Sequence, residues 1–239
     1  MDRFWPGPLT LVLPKTAAVP DIVTSGLGSV GLRMPDHPIA RELLEKTARP
    51  IAAPSANLFG RTSPTTAQHV ADQLHDRIDC ILDGGPCRVG LESTVLDLTT
   101  PRPTLLRPGA VTLENLEAIL GTIDVRTQVA AGENAPAPGL LESHYAPRTP
   151  TRLWNPQSAV PLSGRLGLLT VLPVATQHAF AAIEILSQRG DLAEAAAGLF
   201  AAMRRLDDRG LDGILAVPGP GTGVGRAIND RLARAAARR

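Results

Sequence analysis

The chain is poor in aromatic residues, with one Tyr, two Trp and four Phe among its 239 residues. So few ring surfaces argue against a single-stranded nucleic-acid platform, where successive bases stack on aromatic side chains. An excess of either charge is also lacking, since 24 Lys plus Arg stand against 23 Asp plus Glu. No global field then draws the protein to nucleic acid or to anionic lipid, and any anion specificity must be local. Long apolar runs are missing as well. Phe4 to Leu13 is too short to cross a bilayer and is broken by Pro6, Gly7 and Pro8, so it reads as neither signal peptide nor anchor and points to a cytoplasmic protein with no membrane partner. Cysteine is scarce: Cys80 and Cys87 lack the paired spacing of a zinc site and read as reduced, buried thiols. The histidines His37, His69, His75, His144 and His178 are scattered, and no structural metal is expected.

What the chain does have is Pro and Gly, 22 of each, which punctuate short apolar runs. Leu9 to Leu13 and Ser29 to Arg33 are β-type, and Asp36 with Pro38 starts a helix whose Ile39, Leu43 and Leu44 share a face. Ile51 to Ala53 reads as the next strand, and Ser63-Pro64-Thr65-Thr66 as the cap of a helix running through Val70 and Leu74. Ile78 to Leu82 reads as a strand ending at the turn Asp83-Gly84-Gly85-Pro86. Ser93 to Leu98 and Thr104 to Arg107 pair as a hairpin about Pro101 to Pro103, followed by a helix over Thr112 to Leu120. Interleaved strands and helices with a hairpin among them predict an α/β domain with a mixed sheet over residues 1–125.

Gln128 to Pro150 is interrupted by Pro136, Pro138, Gly139, Pro147 and Pro150, which sets a linker over 126–150 that holds the single tyrosine within Ser143-His144-Tyr145-Ala146-Pro147. Beyond it, strands at Leu166 to Val171 and Asp212 to Val217 alternate with helices through Leu192, Leu199 and Leu206 and over Ala227 to Ala237. Residues 151–239 are therefore expected to form a small α/β, Rossmann-like domain.

Four apolar runs end in Arg, Ser or Asn: Gly31 to Pro38, Ile51 to Asn57, Leu91 to Asp97 and Leu105 to Gly109. Strand ends of this kind bring short donors and cations to one rim of a sheet, which builds an anion pocket. Ser55 and Asn57 flank Ala56 and face one side of an extended chain, though the same pair suits an ordinary Asx or Ser turn. Arg33 offers bidentate binding of carboxylate or phosphate, against an internal salt bridge to Asp36 or Glu42. Arg107 poses the same choice, with Pro108 pushing it to extended geometry. Glu92-Ser93-Thr94 reads either as exposed strand polars or as hydroxyls facing a bound zwitterion. The cluster Gly219 to Gly225 precedes a helix as phosphate loops do, but it lacks the Gly-Lys-Ser/Thr ending and carries Arg226 where a dinucleotide fingerprint has its third glycine, so it reads as a plain loop. The tail Arg231 to Arg239 reads as a solvated helix end complementing the dipole.

Taken together, Phe4-Trp5-Pro6-Gly7-Pro8-Leu9-Thr10, Gly31 to Pro38, Pro54-Ser55-Ala56-Asn57, Ser63-Pro64-Thr65, Glu92-Ser93-Thr94-Val95 and Leu106-Arg107-Pro108-Gly109 closely resemble the YrdC-like threonylcarbamoyl-AMP synthases. His144-Tyr145-Ala146-Pro147 and Gly225-Arg226-Ala227-Ile228-Asn229-Asp230-Arg231-Leu232 resemble the longer, two-domain form, so the resemblance covers nearly the whole chain. It implies a YrdC-like mixed twisted sheet with helices, truncated at its N-terminus, plus a small C-terminal α/β domain. The implied activity is a nucleotidyltransferase reaction that condenses L-threonine, bicarbonate and ATP into threonylcarbamoyl-AMP and diphosphate. The product would pass to a tRNA-modifying transferase complex that makes threonylcarbamoyladenosine. By motif, the resemblance implies ATP contacts from Ser29, Ser55, Asn57, Ser63 and Arg107, and threonine contacts from Arg33, Ala53 and Ser93. Tyr145 would bring the linker over the nucleotide as a lid. No residue is singled out as catalytic. Mg2+ is implied on the ATP phosphates, held mainly by substrate and water.

The resemblance also implies a segment ahead of Phe4, with a Lys and Arg that bind phosphates and a Thr-rich stretch that helps bind threonine. The expectation for this polypeptide alone is weak or absent synthase activity. The alternative is an inactive paralogue or fragment that binds a nucleotide or, weakly, double-stranded RNA. A net charge of +1 speaks against the RNA version.

Overall fold

The computed structural model describes residues 1–127, 144–161 and 163–237. In chain order its elements are β1 (Leu9–Pro14), α1 (Asp21–Thr24), β2 (Ser29–Leu32), α2 (Pro38–Thr47), α3 (Ala67–Leu74) with a 3-10 turn (His75–Arg77), β3 (Thr94–Asp97), β4 (Thr104–Arg107), α4 (Leu113–Leu120), β5 (Asp124–Val125), β6 (Thr151–Leu153), β7 (Leu166–Thr170), β8 (Ala182–Ile185), α5 (Leu192–Asp207), β9 (Gly213–Val217) and α6 (Val224–Ala236). They fall into two compact units, Met1–Pro54 with Glu92–Leu141 and Ser55–Leu91 with Glu142–Arg239. Residues 55–91, placed in the first domain by sequence reasoning, thus group with the C-terminal part. Most of the expected linker, 128–143, lies outside the described residues.

In the first unit a five-stranded mixed sheet has the order β2-β1-β3-β4-β5. β1 runs parallel to β3 and β4 to β5, while β1/β2 and the β3/β4 hairpin are antiparallel. Every residue of β3 and β4 is buried, including the polar Thr94, Asp97, Thr104 and Arg107 that bracket the apolar pairs Val95-Leu96 and Leu105-Leu106. Leu9, Leu11, Leu96 and Leu105 pack with Val111, Leu116 and Ile123, each such burial contributing about 1.5–3 kcal/mol. The turn after β4 lies hard against β3: a Cβ at Gly109 would stand 2.4 Å from the Thr94 amide nitrogen, so only glycine fits. The Thr94 hydroxyl donates to Val111 O at 2.7 Å and fixes the same turn from the other side. Thr112 then caps α4, its hydroxyl accepting from the Asn115 amide while the Asn115 side chain accepts from the Thr112 amide. α2 starts at Pro38, with His37 and not Asp36 at the cap position, and buries none of its residues.

The second unit holds a four-stranded parallel sheet in the order β6-β9-β7-β8. Both faces are covered: Ile214, Ala216 and Leu169 join the core that includes Leu199, Phe200 and Ile228, whereas Leu215, Val217 and Leu168 pack around Trp154. Asp191 caps α5 by accepting from the amides of Ala193 and Glu194. The glycine cluster is closed by Asn229, whose side chain accepts from Gly219 N and donates to Gly219 O, both at 2.9 Å. The plain-loop reading fits that geometry.

Several expectations are corrected. Neither Ile51 to Ala53 nor Ile78 to Leu82 forms a strand. Among the described residues they have no ladder partner, and Ile51 and Leu82 are exposed, so apolar character alone did not make a sheet element. Cys80 and Cys87 lie at the surface. Surroundings that partly bury the Cys87 thiol nonetheless raise its pKa, which makes it a poor nucleophile. The arginine tail is not uniformly solvated: Arg231 and Arg234 are buried and pair with Asp230 at 3.0 and 3.1 Å, so α6 turns its arginines inward. Arg238 and Arg239 lie outside the described residues. Four short elements, α1, β5, β6 and β8, carry too few periodic residues to be read from the sequence.

Candidate functional site

The β3/β4 hairpin pairs Val95 with Arg107, which sets the Arg107 guanidinium beside the residue that leads into β3. Its Nε donates to Ser93 O at 3.0 Å and its Nη2 to Ser93 Oγ at 3.2 Å. Arg107 is only 7% exposed. Ser93 Oγ is in turn 2.7 Å from Thr10 Oγ1 on β1. The β1/β2 ladder ends at Leu11 opposite Leu32, so Thr10 and Arg33 each stand one residue beyond its last pair. Arg33, Thr10, Ser93 and Arg107 therefore gather at one end of the sheet.

Arg33 is exposed and has no ion-pair partner among the described residues. The competing salt bridges do not form: Glu42 pairs with Lys46 at 2.9 Å, and Asp36 is not bonded to Arg33. Ser29 sits at the opposite end of β2, opposite Pro14. It shares a strand face with Arg33 but lies about 13 Å along the strand from it. Ala53 is exposed in the same unit, outside any element.

Ser55, Asn57, Ser63 and Tyr145 belong to the second unit. Asn57 is occupied in its own loop, its amide donating to Leu58 O and Arg61 O at 2.9 and 3.3 Å. Ser55 is exposed and Ser63 is buried beside Thr62 and Thr65. The Thr65 amide donates to His69 Nδ1 at 3.2 Å, and Thr66 caps α3 through the His69 amide. Partial burial, with the Arg204 charge nearby, lowers the pKa of His69 and keeps that nitrogen an acceptor. Arg204 Nη2 donates to Thr62 O at 2.5 Å, tying α5 to the same segment.

Tyr145 does not present an open surface as a lid would. It is 1% exposed, its ring 5.5 Å from that of Phe200, with the Arg231 guanidinium 5.5 Å from its centroid. Its backbone takes the left-handed conformation, φ 63°, because both flanks are pinned: the His144 amide donates to Arg234 O and the Ala146 amide to Gly60 O. The one tyrosine thus anchors the end of the linker in the second unit's core.

Thr10 escaped sequence reasoning as an individual residue, although its segment was part of the resemblance. Its alternation with Leu9 and Leu11 was the available signal, since it alone interrupts that apolar run. Two surface cavities, of about 510 and 250 Å3, are lined by none of these residues. Among the described residues no group of three or more His, Cys, Asp or Glu side chains is arranged to hold a metal ion, and no helix is long and apolar enough to cross a membrane.

A mixed sheet that ends in two arginines and two hydroxyls, followed by a parallel α/β unit, defines a two-unit α/β protein with donors and cations suited to an anionic ligand at one sheet end. Residues 1–109 match the family described as "Telomere recombination" (Sua5_yciO_yrdC), and residues 111–237 match the "Threonylcarbamoyl-AMP synthase, C-terminal domain". The chain belongs to the threonylcarbamoyl-AMP synthase family in its two-domain form. It is 44% identical over 247 residues to the threonylcarbamoyl-AMP synthase of Bacillus subtilis, covering 99% of this chain and 71% of that protein. It is 42% identical over 244 residues to that of Pyrococcus abyssi, covering 98% of this chain and 71% of that protein. Its fold superposes on the crystal structure of P. abyssi Sua5 complexed with L-threonine with a TM-score of 0.88, at 39% identity over 98% of this chain and 72% of that one.

Proposed function

We propose that this chain catalyses formation of threonylcarbamoyl-AMP and diphosphate from L-threonine, bicarbonate and ATP, as a cytoplasmic nucleotidyltransferase serving tRNA threonylcarbamoyladenosine synthesis. The observation that carries this reading is the convergence of Arg33, Thr10, Ser93 and Arg107 at one sheet end, in a chain whose relatives are named for that reaction. In the first step the threonine amine attacks bicarbonate carbon; a C–N bond forms, water is lost and a carbamate results. In the second a carbamate oxygen attacks the α-phosphorus, and the bond from that phosphorus to the bridging oxygen of diphosphate breaks.

Three anionic groups must be held close together, so positioning and charge stabilisation supply most of the rate. Arg33 suits the threonine carboxylate as a free, forked cation. Ser93 and Ala53 are assigned to the same substrate. Ser29, Ser55, Asn57, Ser63 and Arg107 are assigned to ATP, and Tyr145 to anchoring the end of the linker. Residues 1–125 are the proposed synthase domain, 126–150 the linker and 151–239 the second domain. The donor set fits Mg2+ carried in on the ATP phosphates better than a protein-built metal cage, and when bound the ion neutralises charge on the departing diphosphate. The product would be passed to a tRNA-modifying transferase.

Diphosphate release from the purified chain, measured with and without L-threonine and bicarbonate, tests the reading. Release that requires both substrates supports it. Binding of ATP without any such release favours the inactive nucleotide-binding alternative.

A further inference from the structure

We propose that Thr10 is a substrate-contacting specificity residue, the last donor of a chain Arg107 to Ser93 to Thr10 whose hydroxyl hydrogen meets the carboxylate held by Arg33. The inference rests on the reading that Arg33 faces threonine, and it moves the polar contact from Ser93 outward to Thr10.

A guanidinium can only donate, so Ser93 Oγ accepts from Arg107 Nη2 at 3.2 Å. A hydroxyl that accepts from a cation is polarised into a better donor. Thr10 Oγ1 lies 2.7 Å away and either hydroxyl can donate across that distance; with Ser93 as the donor, its hydrogen goes to Thr10. Two hydroxyls carry two hydrogens and one is used between them; in that direction the hydrogen of Thr10 is left over, and among the described residues Thr10 Oγ1 has no partner but Ser93. Thr10 is half-buried, so this hydrogen is open to a ligand.

Strand geometry says which ligand atom it meets. Thr10 and Arg33 follow the last ladder pair, Leu11 with Leu32, and residues directly opposite in an antiparallel pair point to one face with Cβ atoms about 5 Å apart. Gly31 shares that face with Arg33, being two residues away, and a Cβ built on it would lie 3.2 Å from Thr10 Cγ2. Gly31 therefore leaves the floor beside Thr10 open where a side chain would crowd it. Ser93 is one strand farther from Arg33 than Thr10 is. A free guanidinium, a polarised O–H on the neighbouring strand and an open floor suit a carboxylate.

Calorimetry on the whole chain, with L-threonine, L-threoninol (which lacks the carboxylate) and Mg2+-ATP as probes, compares wild type with Thr10→Val and Thr10→Ser. The expected result is that Thr10→Val weakens L-threonine about tenfold or more while Thr10→Ser stays within about threefold. Affinities for Mg2+-ATP and for L-threoninol stay at the wild-type level in both variants. Equal L-threonine affinity in wild type and Thr10→Val overturns the inference alone. So does an equal loss for L-threonine and L-threoninol, which indicates a structural role. A wild-type chain that gives no heat with L-threonine overturns both the inference and the reading beneath it. Should Thr10→Val fail to fold, Gly31→Ala supplies the second test: its added methyl group crowds Thr10 and is expected to weaken L-threonine and spare ATP, and unchanged L-threonine binding overturns the inference.

Discussion

Arg107 grips Ser93 at two points, Nε on the carbonyl at 3.0 Å and Nη2 on the hydroxyl at 3.2 Å, so one buried cation fixes both the backbone and the side chain at the entry to β3. A forked, planar donor does this; a point charge does not. Replacing Arg107 by Lys keeps the charge but leaves at least one of these oxygens without its donor. The expected cost is about 1–3 kcal/mol of stability, read as a lower urea midpoint. A midpoint equal to wild type would show that the fork contributes nothing.

The buried hydroxyl of Thr94 has a role separable from its bulk. Its bond to Val111 O holds the turn that carries Pro108 and Gly109. Thr94→Val keeps the shape and strands the carbonyl, and is expected to lose about 1–2 kcal/mol. Thr94→Ser, which keeps the donor, is expected to lose less. Thermal melts of the two variants check the order, and the reverse order counts against the bond.

Tyr145 distinguishes an anchor from an exposed lid. With the ring packed against Phe200 in the second unit's core, Tyr145→Ala is expected to cost about 3–5 kcal/mol. A ring resting on the surface would change stability by no more than about 0.5 kcal/mol. Chemical denaturation of the variant decides between them.

His69 makes the segment around Ser63 sensitive to acid. Its pKa is lowered from 6.5 first by partial burial and then by the charge of Arg204, with Arg205 acting the same way and Asp72 and Asp208 opposing. The folded state therefore favours the neutral ring, which accepts from the Thr65 amide. This contribution to stability is whole above the unfolded value of 6.5 and is lost as pH falls through the lower folded value. An NMR titration of the ring is expected to give a midpoint below 6.5. A midpoint at or above that value would contradict the assignment. His69→Ala is expected to flatten the acid side of the stability profile.

Legibility differed by element for identifiable reasons. β1, β3, β4, β7, β9, α4 and α5 could be read because their apolar residues recur with a strand or helix period and some ends carry Thr112 or a turn glycine. Ile51 to Ala53 and Ile78 to Leu82 had the same apolar character without forming strands, because a strand exists only where another supplies its hydrogen bonds. Cys80 and Cys87 misled because burial is a property of the whole packing, and a small apolar side chain says little about where its segment lies. Arg33 and Arg107 looked alike as arginines closing apolar runs, yet the packing left one exposed and free and turned the other onto Ser93.

By itself the order of residues determined the family, the mixed α/β character and the set of segments that carry polar groups, because these reside in local pattern and in motifs that need no partner. Only the tertiary structure decided that Tyr145 is core, that Asn57 serves its own loop, and that Thr10 stands between Ser93 and Arg33. Those facts come from strand register, and register brings together residues more than eighty positions apart through hydrogen bonds between strands that no local stretch of sequence contains.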